Sequence, residues 1–477
     1  MKMKISLCKN LKSLMVWLFV FIMVSGFFLT AKEMTTREFS LVEIRATVKK
    51  LMDEGDIPGL SLVIIRPDRP DFIEGFGYAD LEKKTAVTAN TFFELASCSK
   101  SFTALAALQL EAEGLLNLDE PVSRYLPWFY AMYEKEKVEF TVRQALHHTS
   151  GIPWNSIQRI PLGNKENALE QTVRKIVGIE LEDLPGKSFR YATINYDIVG
   201  LIIEKVSGLS YEEYMEKRLF PPLGLTGTRV GMDRQDPAAA AGISTGYKIG
   251  FFKARPFNAP AYRGNSPAGY IVSNAHDLAR WLKLQLGLVQ SPLSPLIEKS
   301  HRRDEFVPPN RLNMTSYAMG WEISLSGDGE IEHGGLNPNY TSYIVFSPKK
   351  KTGVAVLANS NSSYTPFIAS TVMGMIDGKE MNTAALPGGG IDKTTSILSL
   401  ILGIVLLITA AYIVFILIEL FKGRRQVAGF SWLIFGKITS IIPIIVPFLF
   451  GIYLLPMVLQ NVSWKFALIW TPESFQV

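Results

Sequence analysis

Ser396 to Phe421 is a 26-residue run, "SILSLILGIVLLITAAYIVFILIELF", whose one charge, Glu419, lies near its edge. It exceeds the roughly 20 apolar residues that a helix needs to cross a bilayer. A second apolar run, 438–459, reads as another span, kinked by Pro443, Pro447 and Pro456. Between them the loop 422–437 holds Lys422, Arg424, Arg425 and Lys437 and no acid, so the positive-inside rule assigns it to the cytoplasm. At the other end Lys2, Lys4, Lys9 and Lys12 precede the apolar stretch Leu14 to Ala31, the layout of an export signal that is either removed or kept as an anchor.

Both ends therefore predict one topology. Residues 1–31 are a signal peptide or signal anchor, 32–377 an extracytoplasmic domain, and 378–395 a Gly-containing linker. Residues 396–421 and 438–459 are spans around a basic cytoplasmic loop. The aromatic tail 460–477 returns outside, to lie at the membrane interface or to begin a third span.

With apolar residues at 48% the chain is rich enough to keep part of that content in lipid. A net charge of +5 without a basic helix argues against a nucleic-acid partner. The two cysteines are Cys8, inside the signal, and Cys98, so the outer domain has no internal disulfide. Five histidines without an HExxH or cysteine cluster, and no Gly-rich phosphate loop, predict neither metal nor cofactor.

Within the outer domain, "GLSLVIIRP" and "FIEGFGYAD" read as a hairpin around "DRPD". "AMGWEISL", "IEHGG", "TSYIVFS" and "GVAVLANS" read as later strands joined at "SGDGE" and "PKKK". Between them Ser97 to Glu113, Thr141 to His147, Ile194 to Ser207 and Asn274 to Leu286 are helical in period. Strands, then helices, then strands predict an α+β domain, its antiparallel sheet formed by both chain ends, with a helical subdomain beside it and a cleft between them.

Ser97 and Lys100 stand three apart at the start of a helix closed by Gly114. One helical face holds both, with Cβ atoms roughly 5–6 Å apart. A serine hydroxyl is a poor nucleophile alone, and a lysine takes its proton only where burial or a neighbouring cation lowers the amine pKa. Free N–H groups in the first helical turn would face an oxyanion. The bare spacing also occurs at Ser6/Lys9 and Ser347/Lys350, so context must distinguish the pairs. Cys98 points about 100° away and reads as a packing residue.

That context is a series of blocks in order: "IPGLSLVII", "FGYAD", "FELASCSKSFTALAALQL", "GLLNLDEPVSRYLP", "TVRQALHHTSGIP", "PGKSFRYATINYDIVGLIIEKVSG", "LFPPLGLTGT", "SPAGYIVSNAHDLARWL", "YAMGWEI" and "HGGLNPNYTSYIVFSP". Over about Ile57 to Asn361 the chain resembles the serine β-lactamase and penicillin-binding-protein-like hydrolases, in the branch with class C β-lactamases and D-Ala-D-Ala carboxypeptidases. Its C-terminal runs resemble membrane-attached members of that branch.

The resemblance implies a β-lactamase/transpeptidase-like fold and a serine acyl-enzyme, with Ser97 as nucleophile, Lys100 as its proton partner and Tyr191 moving protons. Family members carry Tyr-x-Asn where this chain has Tyr191, Ala192 and Thr193, and a threonine lacks the amide's separate donor and acceptor. Thr193 is instead expected as a helix N-cap, with Asn195 as a possible substitute. "HGG", His333, Gly334 and Gly335, occupies the Lys-Thr-Gly position. His333 is expected to supply a polar or cationic group, Gly335 to leave room for a substrate backbone, and the Leu336 N–H to complete an oxyanion hole. The literal Lys351-Thr352-Gly353 falls at a hairpin turn and reads as a charged turn. His147 and His148 read as structural.

The expected substrates are D-Ala-containing wall amides or esters, or β-lactams. Carboxypeptidase, transpeptidase, esterase and β-lactamase all remain open, as does oligomeric state. Thr193 supports a rival reading, an envelope binding protein with weakened catalysis.

Overall fold

The computed structural model describes residues 39–231, 242–310, 314–388, 390–426, 429 and 461–475. The export signal (1–31) and the second apolar run (438–459) lie outside the described residues. An antiparallel sheet carries the fold, with strands β1 (Gly59–Ile65), β2 (Phe72–Asp80), β3 (Thr85–Ala86), β4 (Thr315–Tyr317), β5 (Glu322–Ser324), β6 (Ile331–Asn337), β7 (Tyr340–Ser347) and β8 (Thr352–Ala358). Their spatial order is β4-β5-β6-β7-β8-β1-β2-β3. Early and late segments join at β1 and β8, from Leu60 opposite Ala358 to Ile65 opposite Gly353. Lys351 lies in the β7–β8 turn at φ +57°, so the literal Lys-Thr-Gly is a turn and a strand start.

All seven residues of β1 are buried because helices cover both faces of the sheet. Alternate side chains divide between two cores, as a period of two requires. Leu60, Leu62 and Ile64 pack with Val354, Val356 and Ala358, under α1 (Leu41–Glu54) and, later in the chain, the helix Tyr364–Ile376. Val63 and Ile65 pack with Ala355 and Leu357 against the other core. That core holds α2 (Ser99–Ala112), α3 (Ile194–Ser207) and α4 (Ala275–Gln285), and Tyr364–Ile376 is α5.

Local sequence signals explain several boundaries. Ser40 and Glu43 form a capping box that opens α1, and Asn274 caps α4 through the Asp277 N–H. At the end of α3, Gly208 takes φ +72°, a left-handed stop that a Cβ would disfavour. In the stretch "AMGWEISL" the strand is shorter than expected: Ala318 to Trp321 forms the turn between β4 and β5, closed by Ala318 N–H donating to the Trp321 carbonyl.

Helix α6 (Gly390–Phe421) is 32 residues long. Its stretch Asp392–Phe421 is long and apolar enough to cross a membrane, and Leu406, Leu407 and Ile408 are exposed. At 1.5 Å per residue, it spans about 45 Å, more than a bilayer core. The aromatic tail forms a short helix, α7 (Trp464–Trp470), whose Phe466 and Ala467 pack against Ile157 of the outer domain. The aromatic side chains of the tail thus find a protein surface to cover.

Leu62→Ala should lower stability by about 3 kcal/mol, since it opens a cavity between two covering helices. Leu115→Ala, at a site 51% exposed, should change it by less than about 0.5 kcal/mol. Denaturant unfolding of the two variants checks the contrast.

Candidate active site

Ser97 lies in a 3-10 turn, Ala96–Cys98, and α2 begins only at Ser99. The expected helix thus starts two residues late. The cause is Ala96, held at φ +44°, where a side chain costs of order 1 kcal/mol. Strand β6 packs directly on this turn. A Cβ on Gly335 would press on the Leu95 carbonyl, the Ser342 hydroxyl and the Ala96 Cβ. Gly335 therefore serves the contact between strand β6 and the turn that carries Ser97. Two bonds fasten the contact: Ser342 Oγ donates to the Leu95 carbonyl at 2.5 Å, and Cys98 Sγ donates to the His333 carbonyl at 3.1 Å. Burial pushes the Cys98 thiol up to about 12, so this neighbour of Ser97 stays a protonated packing group.

Lys100 is fully buried, and its Nζ lies 3.0 Å from Ser97 Oγ, 3.1 Å from Thr193 Oγ1 and 2.8 Å from the Ala268 carbonyl. Burial lowers its pKa from 10.5 to about 7, opposed by the charge of Asp197. A neutral amine has two N–H donors and one lone pair. Directed to the Ala268 carbonyl and Thr193, the donors leave the lone pair for the Ser97 proton.

Asp197, on α3, is also fully buried, and burial holds its carboxyl well above the usual range despite Lys100. The Asn265 amide, oriented donor to acceptor, gives hydrogen bonds to both Asp197 oxygens at 3.1 and 2.9 Å. Burial thus shifts both groups toward their uncharged forms, while each one's charge opposes the shift of the other. Neither Asp197 nor Asn265 was singled out from sequence, although Asp197 is the one charge within "INYDIVGLII".

Thr193 occupies the N-cap position of α3, but its side chain makes no capping bond. Its hydroxyl accepts from Lys100 instead, which corrects the capping expectation. Asn195 does not replace the missing amide. It is buried, accepting from Ser150 Oγ at 2.8 Å and lying 3.2 Å from His148 Nδ1.

Tyr191 is hydrogen-bonded to Ser97, and burial raises its pKa far above 10. Lys100 Nζ lies over its ring, 5.1 Å from the centroid. The group facing Ser97 is thus a phenol, able to pass a proton on but not to act as a resting phenolate. His148 packs against Tyr191 at 4.3 Å and Tyr317 at 4.6 Å, and its Nδ1 accepts from the Ala192 N–H at 3.3 Å. It therefore supports the tyrosine wall, a contribution that "HHTSG" did not reveal.

Of the two forms expected of His333, polar or cationic, the structure has the polar one. Its Nε2 lies 3.0 Å from the Tyr317 hydroxyl and its Nδ1 2.7 Å from the Gly334 carbonyl, and burial takes its pKa down to about 3. Nδ1–H donates and Nε2 accepts, so the ring is neutral. It brings no cation to Ser97 because Lys100 and desolvation both oppose its charge. Leu336 is 54% exposed on the part of β6 beyond the β5 pairing, which ends at Glu332. Asn337 donates to Glu94 at 2.7 Å and to the Gly269 carbonyl at 3.0 Å. Ser97, Tyr191, Thr193, His333 and residues 334–337 line a single cavity of about 1250 Å³.

The arrangement allows Lys100 to take the Ser97 proton as the hydroxyl attacks an electrophile. Because the amine is free above pH 7 and protonated below, the rate of Ser97 labelling by a fluorophosphonate should rise about tenfold per pH unit up to roughly pH 7 and then level. A rise that continues toward pH 10 would show an ordinary lysine. Gly335→Ala should slow the same labelling by about a hundredfold, since β6 cannot approach the Ala96 turn without displacing Ser97.

The family model Beta-lactamase matches residues 44–370. Protein flp of Staphylococcus aureus (strain N315) is 29% identical over 443 residues, covering 91% of this chain and 86% of that protein. A beta-lactamase of Escherichia coli (strain K12) is 27% identical over 356 residues, 67% of this chain and 88% of its own. Among solved structures, an octameric penicillin-binding protein homologue from Pyrococcus abyssi superposes with a TM-score of 0.63 at 30% identity, over 72% of this chain and 79% of that one. A D-alanine carboxypeptidase AmpC from Burkholderia cenocepacia, at 22% identity and a TM-score of 0.57 over 70% of this chain and 99% of that one, shares the fold. With the family model spanning more than half of its length, the chain belongs to the beta-lactamase family of serine hydrolases.

Proposed function

We propose that the protein is a membrane-anchored extracytoplasmic hydrolase or acyl-transferase that works through a Ser97 acyl-enzyme on D-Ala-containing wall amides or esters, or on β-lactams. The observation that carries this reading is the 3.0 Å contact between Lys100 Nζ and Ser97 Oγ, at an amine whose pKa burial brings to about 7. Ser97 Oγ attacks the carbonyl carbon while its proton passes to Lys100. Backbone N–H groups of Ser97 and Leu336 hold the oxyanion. The leaving alcohol or amine takes a proton through the Tyr191 hydroxyl, and water or an acceptor then attacks the ester with the same groups in reverse. Apolar α6, followed by Lys422, Arg424 and Arg425, supports a cytoplasmic end there and an outer catalytic domain. The named relatives, a beta-lactamase and a D-alanine carboxypeptidase, support the choice of substrates.

A second reading, an envelope binding protein with weakened turnover, is favoured by Thr193. Its hydroxyl accepts from Lys100 and retains a single proton, on a short stem, for a substrate amide.

Intact mass of the protein after incubation with a penicillin, and separately with an activated D-Ala ester, distinguishes the two. The acyl-enzyme reading expects an adduct or turnover that Ser97→Ala abolishes; a folded protein unchanged by both reagents supports the binding reading. Thr193→Asn should speed penicillin acylation by roughly fivefold, the value of one neutral hydrogen bond.

A further inference from the structure

The cavity that contains Ser97 does not end at the outer domain. Its far wall is the C-terminal segment, with Val462, Phe466, Ala467, Trp470 and Phe475 lining the same space as Ser97 and Tyr191. This segment crosses the cleft and is fastened on both sides. At the helical subdomain, Asn155 and Gln158 donate to the Asn461 carbonyl at 3.1 and 3.2 Å, and the Ser463 N–H donates to Gln158 at 2.9 Å. At the hairpin formed by Tyr247–Gly250 and Lys253–Pro256, the buried Lys248 donates to the carbonyls of Leu468 and Ile469 at 2.8 and 3.0 Å, stopping α7 at its C-terminus. Arg255 pairs with Glu473 at 3.1 Å.

The same segment is tied to the start of the membrane-crossing helix. Buried Asp392 accepts from the N–H groups of Phe251 and Phe252 at 3.1 Å each and from Ser474 Oγ at 2.5 Å. Thr394 and Thr395 line the cavity rim, and the apolar run begins at Ile397. At 1.5 Å per residue, that run starts about 3 Å further along the helix axis. The cavity rim therefore lies at the level where apolar α6 begins, and one of its walls is aromatic and aliphatic.

We infer that the C-terminal segment is the specificity wall of the acyl-enzyme site, and that it selects an amphiphilic ester or amide carrying a long alkyl chain, presented from the outer membrane face. This rests on the Ser97 acyl-enzyme reading. A water-soluble substrate gains nothing from burying Phe466 and Trp470 beside the reacting serine, whereas an alkyl chain is drawn from water by that contact. The chain lies along the tail while the polar ester or amide faces Ser97 and β6. Lys248 and Asp392 act as positioning residues that keep the wall across the cleft.

The test uses the full chain in nanodiscs and two phosphonylating probes, ethoxy(methyl)fluorophosphonate and ethoxy(decyl)fluorophosphonate. In each case the Oγ–P bond forms, the P–F bond breaks, fluoride leaves with the electron pair, and the serine proton passes to Lys100. Labelling is followed by intact mass, with Ser97→Ala as the control. The decyl-to-methyl rate ratio should fall by about tenfold in Phe466→Ser and in Trp470→Ser, as expected when a chain of several methylenes loses its apolar wall. Lys248→Met, which leaves both aromatic side chains in place but removes their fastening, should lower the ratio in the same direction. Probe partitioning into the nanodisc is common to all variants and cancels in the comparison. An unchanged ratio in all three variants, with Ser97 still labelled, overturns the inference and leaves the acyl-enzyme reading intact. Failure of both probes to label Ser97 in the unsubstituted protein overturns the two together.

Discussion

The site depends on the burial of one amine. Lys100 enters the interior on the first turn of α2, where the Ala268 carbonyl and the Thr193 hydroxyl are its polar neighbours beside Ser97. A charged ammonium there would lose most of its hydration, so burial lowers the amine pKa and raises that of the nearby Asp197 carboxyl in the same way. His333 and His148 obey the same constraint. Both stand near Lys100, and burial together with its charge lowers the pKa of each, so both remain neutral.

Keeping that amine dry requires elements from distant parts of the chain. The turn Ala96–Cys98 brings Ser97, α2 brings Lys100, α3 brings Asp197 with Thr193 at its N-cap, and the short helix Ser266–Gly269 supplies the Ala268 carbonyl. Strand β6 closes the other side only because Gly335 allows it against the turn at Ala96. Ala96 and His148, both at positive φ, lie close to Ser97 and to Tyr191, where packing over-determines the backbone.

The C-terminal segment extends the same logic beyond the beta-lactamase-family domain. Its aromatic side chains would be a liability in water, and they are covered by the rim of the cleft while Lys248 and Asp392 satisfy the backbone groups that this docking buries. The long apolar helix α6 is thereby joined physically to the cavity that holds Ser97, through its first turn.

Sequence alone determined what local chemistry controls. Short apolar runs bounded by turn residues marked β1, β2, β7 and β8, and "SFTALAALQL" marked α2. The "PKKK" turn disposed of Lys351-Thr352-Gly353 as a third box, because a strand of eight residues separates it from the serine end of β6. The order of strands, helices and strands gave the α+β class, and the spacing of Ser97 and Lys100 anticipated their contact. Tertiary structure alone decided the charge state of His333, the diversion of Thr193 from cap to lysine partner, and the electrostatic influence of Asp197 on Lys100. Those properties arise from desolvation and from contacts between residues up to a hundred positions or more apart, which no local pattern encodes. The same holds for the tail: its aromatic composition is visible in the sequence, but its place across the cleft is fixed by the carbonyls that Lys248 and the side chains of Asn155 and Gln158 happen to reach.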